Sequence, residues 1–405
     1  MTLNQIVAMR IEPRERLLRL FEDRIYNESF KDLSGWDRAA IGVPFPEVSL
    51  RFSPDDLRRY FFDRELPNEC LEHVKGKIAH LASLRERTPV GPDNILLTPG
   101  ATAALAVILH LLRDCAVEVV LTDPPFYFSI QKLCAALGMD FIVVNRSVEE
   151  LDEHSLIFDL IARHRHQRKA IILAHPRYVV SRNYPSPIIS EIRRVLNSDD
   201  FLIIDQSVDM EFCNHDNFMD LNSMSIKIRT LGKTLGLNGS RLAVIVADKH
   251  LIVQLNRHAG ILYGSLDVAM LKLGAIIAQD PKLFEDHLSA IRKLVEETAL
   301  ESRLILGNSI FEVVRPENGF LGYILVDTSK IGRFALYHAL LSQNVHAMFS
   351  AHVGLRQLYH REMIRINYLL NVREGLMVLR RFGERYELNS PSHWLRMERS
   401  YRSTL

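Results

Sequence analysis

The residues best equipped for chemistry lie in one short run, Arg229-Thr-Leu-Gly-Lys-Thr-Leu-Gly-Leu-Asn-Gly-Ser-Arg241. Lys233 follows a strand-like segment and has Gly232, Gly236 and Gly239 around it. A constrained, partly desolvated amine has a lowered pKa and becomes a nucleophile that forms Schiff bases with carbonyl compounds. Arg241 stands eight residues further on, and its planar fork suits two oxygens of a phosphate. Taken alone, a lysine in a strand-exit loop is most often just solvated. Gly232-Lys233-Thr234 also resembles the tail of a Walker A loop, but Lys227 stands where that loop needs its first glycine.

Two further segments supply partners. Asp205 closes the apolar run Phe201-Leu-Ile-Ile-Asp205. A carboxylate at the C-terminal edge of a sheet strand sits where α/β folds place ligands. There it can pair with a protonated ring nitrogen, although a turn or a helix N-cap is an equally common use. Thr98-Pro-Gly-Ala-Thr-Ala-Ala-Leu105 joins a strand to a helix. Gly100, Ala101 and Thr102 would turn backbone N–H groups and a hydroxyl toward an anion at the helix N-terminus. A plain capped helix start fits the same residues.

The elements that must position these groups follow from periodicity. Strands are expected at Ile95–Thr98, Val117–Thr122, Phe141–Val144, Ala170–Ala174 and Phe201–Asp205, with helices at Thr102–Leu112, Ile130–Leu137, Ser155–His164 and Pro187–Leu196. Short apolar runs alternating with amphipathic stretches imply a mostly parallel sheet with helices on both faces. Lys227–Leu231 and Leu242–Ala247 lack a long crossover between them, so one of the two should break the parallel order.

Leu283–Leu306 keeps apolar spacings of three and four and predicts a long helix bridging to a smaller domain. In that domain Phe311–Val314 and Phe320–Val326 read as antiparallel strands about a Glu317-Asn318-Gly319 turn. Phe334–Leu341 and Val372–Phe382 read as helices, and Met363–Leu369 as a strand. The expected architecture is α/β: a large domain at 46–280 with a mostly parallel mixed sheet flanked by helices, and a smaller α+β domain at 281–405. Residues 1–45 are expected to pack with the smaller one.

Composition narrows the field. The 50 Lys and Arg balance 49 Asp and Glu, so no net field favours nucleic acid or a membrane surface as partner. The basic run Arg163-His-Arg-His-Gln-Arg-Lys169 reads as a solvated helix C-terminus rather than a binding patch. His164 and His166 are poorly spaced for metal ligands on one helical face, and no metal is expected. Four cysteines without a C-x-x-C pair suggest reduced thiols and a cytoplasmic protein. No secretory signal and no membrane-spanning run is visible.

The ordered set Gly100, Asp205, Lys233, Arg241 and Arg365 resembles the fold-type I aminotransferases of class I and II, over about residues 48 to 382. The resemblance implies pyridoxal phosphate as cofactor, held by Lys233 as a Schiff base, with Asp205 on its pyridine nitrogen. It implies that Gly100, Ala101, Thr102, Thr230 and Arg241 hold the phosphate. Phe126, in Asp123-Pro-Pro-Phe-Tyr127, would stack on the ring. Arg365, in Met363-Ile-Arg-Ile-Asn-Tyr368, would clamp the substrate α-carboxylate. Tyr60 would reach the phosphate of a neighbouring subunit in a homodimer with shared active sites, and Ser265 is a weaker candidate for the same kind of contact.

The chain departs from the family pattern at two hydrogen-bonding positions. His175-Pro-Arg-Tyr178 replaces the usual Asn-Pro-x-Asn, so Tyr178 stands where an asparagine would meet the cofactor's phenolic oxygen. Val208 stands where a tyrosine is usual and cannot donate. Losing a donor should raise the pKa of the Schiff base or shift the task to Tyr178 or Arg177. Gly232 also replaces the usual serine before the lysine. The activity implied is amino transfer between an α-amino acid and a keto acid. The alternatives are a cyclase, oxidase, lyase or decarboxylase on the same cofactor, or a binding protein of this fold without turnover.

Overall fold

The computed structural model describes Leu18, residues 31–34, Val43, and residues 65–86, 89–209, 224–237, 239, 241–307, 310–329, 331–357 and 360–388. Tyr60 lies outside the described residues. Among the described residues no helix is long and apolar enough to cross a membrane.

After a two-residue strand β1 (Lys31–Asp32) and the helix α1 (Glu65–Glu86), a seven-stranded sheet forms the larger body. Its strands are β2 (Ile95–Thr98), β3 (Val119–Thr122), β4 (Asp140–Val143), β5 (Lys169–Ala174), β6 (Phe201–Gln206), β7 (Ser225–Thr230) and β8 (Ala243–Ala247). The order is β2-β8-β7-β6-β5-β3-β4. All pairs are parallel except those of β8, which runs against both β2 and β7. This is the break in parallel order expected between 227 and 247. β5, β6 and β7 are buried along almost their whole length, which is why they read as apolar runs rather than alternating strands.

Helices cover both faces: α2 (Ala101–Asp114), α3 (Ser129–Leu137), α4 (Ser155–Arg163), α5 (Ser186–Val195), α6 (Lys249–Leu262) and α7 (Val268–Gln279). Ala104, Leu105, Ile108 and Leu112 of α2 meet Ile203, Ile228 and Ile245 on one face of the sheet. Ile157, Ile161 and Ile189 meet Leu121, Ile171 and Ile204 on the other. Each of these leucine and isoleucine side chains contributes about 1.5–3 kcal/mol on leaving water. Helices α1, α6 and α7 were not anticipated from sequence.

The long helix α8 (Glu285–Leu306) leads to a four-stranded antiparallel sheet in the order β12-β13-β10-β9. Its strands are β9 (Phe311–Val314), β10 (Leu321–Asp327), β12 (Met348–Phe349) and β13 (Arg361–Asn367), with α9 (Arg333–Ser342) and α10 (Arg373–Leu388). The short β11 (Val345–His346) pairs in parallel with β1. Leu18 and Leu33 lie in the core of this smaller body.

Candidate active site

The sheet topology decides where chemistry can occur. β2, β5, β6 and β7 all end on one edge, and the antiparallel β8 begins there. Thr98 and Thr230, the last residues of β2 and β7, both register against Ala243, the first of β8. The segments following β2 and β7 and preceding β8 therefore meet: Gly100, Lys233 and Arg241 come from three different places in sequence to one edge. Asp205, near the end of β6, registers against Ile228 on the same edge.

At Gly100 the backbone has φ +91°, accessible to glycine at little cost. No side chain caps the N-terminus of α2, so its first N–H groups remain as donors with the positive end of the helix dipole behind them. A Cβ at Gly100 would lie 3.1 Å from Arg241 Nη2 and 3.2 Å from its Cζ. The guanidinium thus closes a cradle that any side chain would fill. Arg241 itself holds φ +44°, an uncommon state for a residue with a Cβ and a mark of sites where geometry outranks local comfort.

Lys233 opens a single 3₁₀ turn, Lys233–Leu235, between Gly232 and the left-handed Gly236. Burial pulls its amine below the usual lysine range; Asp205 and Tyr127 oppose this, and Arg241 and Arg365 reinforce it. Asp205 is 7% exposed, and its Oδ1 accepts from the Ser207 backbone N–H at 2.9 Å and from the Ser207 hydroxyl. Thr230 donates its hydroxyl to the Ser207 carbonyl at 2.8 Å. Ser207 is therefore a hub for two of the expected site residues, and nothing in its sequence context announced it. Val208 is buried in the core of the smaller body.

The two aromatic neighbours Phe126 and Tyr127 divide differently from the sequence expectation. The Phe126 ring is buried against Phe141, with centroids 5.2 Å apart, and against Gly354. Its backbone N–H donates to the Val353 carbonyl at 3.1 Å. Tyr127 is the ring that faces the site. Lys233 Nζ lies 5.8 Å from its centroid, its hydroxyl is 3.2 Å from Thr102 Oγ1, and it meets Tyr178 edge-on at 6.0 Å.

Arg365 projects from β13 of the smaller body. It is 1% exposed and donates to the Tyr178 hydroxyl and to the Ser34 carbonyl. Burial raises the Tyr178 phenol above its ordinary range, with Arg365 opposing, so the hydroxyl keeps its proton at neutral pH. Beneath these residues Asp123 receives Arg146 Nε at 2.8 Å and the Tyr184 hydroxyl at 2.9 Å, with Arg177 Nη2 at 3.9 Å. Arg177 also donates to the carbonyls of Leu151 and Pro124. Arg177 is thus occupied in holding the Asp123 and Tyr178 loops. Ser265 is exposed beside Tyr263 and Arg241 in a cleft of about 530 Å³. Among the described residues no cluster of His, Cys, Asp and Glu is placed to hold a metal ion.

The chain is 22% identical over 200 residues to an aspartate aminotransferase of Sulfolobus acidocaldarius, covering 48% of this chain and 50% of that protein. It is 24% identical over 210 residues to a histidinol-phosphate aminotransferase of Haemophilus influenzae, covering 51% and 54%. The matched part spans about half the length of these curated relatives.

Solved structures extend the likeness over nearly the whole chain. A probable N-succinyldiaminopimelate aminotransferase of Thermus thermophilus superposes with a TM-score of 0.69 at 16% identity, covering 91% of this chain and 98% of that one. An aspartate aminotransferase of the same organism, solved with maleate, gives 0.66 at 16% identity, covering 94% and 99%. At such identities the structures establish the shared fold, and the family rests on its own model. Residues 63–381 match the model of aminotransferase class I and II, and the chain belongs to that family of fold-type I pyridoxal-phosphate enzymes.

Proposed function

We propose that the chain is an aminotransferase that uses pyridoxal phosphate on Lys233 to move an amino group between an α-amino acid and a keto acid. The observation that carries this reading is the convergence of the Gly100–Arg241 cradle, Asp205 and the depressed amine of Lys233 on one sheet edge. The residues fit the cofactor. An uncapped helix N-terminus and a guanidinium lie side by side at Gly100, where the missing side chain leaves both donors accessible, which suits a phosphate. A buried carboxylate and a partly desolvated amine suit a pyridine nitrogen and an aldehyde.

Gly100, Ala101, Thr102 and Arg241 would hold the phosphate, with Thr230 close by through Ser207. Asp205 would hold the positive charge on the ring nitrogen. When bound, pyridoxal phosphate supplies an electron sink for the pair left at the substrate α-carbon. The chain's own groups do the rest. Arg365 is the cation that orients the substrate carboxylate. The Lys233 amine, whose proton affinity burial lowers, takes the α-proton at Nζ in its neutral form and returns it. Tyr127 and Tyr178 wall the site and limit water.

A second copy of the chain would complete the site. The resemblance assigns Tyr60 of that second copy to the phosphate, and on this copy a cleft lined by Tyr263, Ser265, Leu266 and Met270 lies beside Arg241.

The reading is tested by titrating the full chain with pyridoxal phosphate and then with single amino acids. The expected result is a visible band, borohydride-fixed label on Lys233, and conversion to pyridoxamine phosphate with release of keto acid. Label elsewhere removes the assigned role of Lys233. Label on Lys233 with loss of carbon dioxide, elimination or oxidation, and without pyridoxamine phosphate, replaces amino transfer by one of those fates. No spectral response to any amino acid leaves a binding protein.

A further inference from the structure

The turn that carries Lys233 satisfies most of its own backbone. Leu235 N–H donates to the Gly232 carbonyl at 3.1 Å, Gly236 N–H to Lys233 at 3.0 Å, and Leu237 N–H to Gly232 at 2.8 Å. The Leu235 carbonyl takes its bond from elsewhere: His287 Nε2, on the first turn of α8, at 2.8 Å. A carbonyl only accepts, so the imidazole carries its proton on Nε2. His287 is 5% exposed, and a buried donor–acceptor pair of this kind is costly to break on one side.

The helix that presents His287 belongs to two bodies. Phe284, just before it, and Leu288 share a core with Leu231 and Leu235 of the large domain. Ile291, Val295, Ala299 and Leu306 share the core of the smaller body with Phe311, Ile364 and Ile366. Ile364 and Ile366 flank Arg365 on β13. With 22 residues, α8 is about 33 Å long, and a continuous helix transmits a displacement of one end to the other unless it kinks.

We propose that His287 is a positioning residue for Lys233: through α8 it couples the turn bearing the amine to the domain bearing the carboxylate-binding Arg365. Filling Arg365 shifts the smaller body, α8 carries the shift to its first turn, and His287 passes it to the Leu235 carbonyl two residues from the amine. The catalytic meaning of this link rests on the reading of Lys233 and Arg365 given above, but the link itself is measurable without turnover.

The experiment is amide hydrogen exchange on the full chain loaded with pyridoxal phosphate, with succinate as a carboxylate that carries no amino group. In the wild type succinate slows exchange at Leu235, Gly236 and Leu237. His287→Leu raises basal exchange there by roughly tenfold and abolishes the succinate effect. His287→Gln, which can still donate, restores both and serves where the leucine variant folds poorly. Unchanged basal exchange in His287→Leu, an intact succinate effect in that variant, or no succinate effect in the wild type overturns the proposal. The same exchange on the cofactor-free chain separates the two readings. If borohydride places no label on Lys233, the aminotransferase reading fails, while the dependence of the 235–237 amides on residue 287 still decides the link.

Discussion

The guanidinium of Arg365 donates a hydrogen bond to the hydroxyl of Tyr178, and both side chains are buried. Residue 178 is where the family resemblance places an asparagine. The phenol keeps the ability to accept from Arg365 and still has its own proton to donate toward the site. Tyr178→Phe leaves a charged, buried donor without this acceptor. It should cost about 1–3 kcal/mol, read as a lower urea midpoint at constant m-value. The wild-type midpoint in Tyr178→Phe would show that the bond contributes nothing and that Ser34 alone positions the guanidinium.

The Gly100 cradle makes a sharper prediction. Gly100→Ala forces a Cβ into a positive-φ backbone and to 3.1 Å from Arg241 Nη2. That backbone, with φ +91° and ψ 164°, costs a residue bearing a Cβ roughly 1–3 kcal/mol, and the methyl group crowds the Arg241 guanidinium that would hold the phosphate. Pyridoxal phosphate affinity should fall by at least about tenfold, equivalent to 1.4 kcal/mol. Pyridoxal without its phosphate should bind the variant and the wild type alike. Equal losses for both ligands would move the phosphate away from Gly100.

How much of this was legible in sequence depends on how locally each residue is specified. Asp205 lies near the end of β6, and Lys233 and Gly100 follow β7 and β2; the residues of these strands are almost all buried, so apolar runs revealed both the strands and the edge where they end. The assignment between Phe126 and Tyr127 is not local. It is set by Gly354, whose missing side chain leaves room for the Phe126 ring, and by the Val353 carbonyl that holds its backbone. Helix α7, Val268-Ala-Met-Leu-Lys-Leu-Gly-Ala-Ile-Ile-Ala-Gln279, is apolar nearly all round and offers no stripe to detect. Helix α6 exposes Val253, Ile261 and Leu262, which blurs its periodicity. Ser34 and Ser207 act through backbone and hydroxyl groups that no motif marks.

That account of Phe126 can be tested by packing. Gly354 has φ +80°, and a Cβ there would overlap the edge of the Phe126 ring. Gly354→Ala should destabilise by roughly 1–3 kcal/mol through overpacking. Phe126→Leu should recover part of that loss in the double variant, giving a coupling energy of about 0.5 kcal/mol or more. Additive urea midpoints would place the Phe126 ring elsewhere and reopen its role beside the cofactor.

The amine of Lys233 supplies a pH prediction whose sign can be worked out. Burial is the largest cause of its lowered pKa, so the folded chain binds this proton less readily than the unfolded chain does. Stability therefore rises with pH between the folded pKa and 10.5, where the unfolded state holds more protons. Below the folded pKa the penalty of a buried ammonium is fully present. In the cofactor-free chain, Lys233→Met removes that penalty and should stabilise most below the folded pKa, with the advantage shrinking as pH rises from there towards 10.5. The same depression should let borohydride trapping of pyridoxal phosphate by the wild type reach half its maximal rate below that pH. A trapping midpoint at the ordinary lysine value, together with a Lys233→Met advantage that does not change with pH, would mean that the amine is solvated and lacks the neutral form that proton transfer at the α-carbon requires.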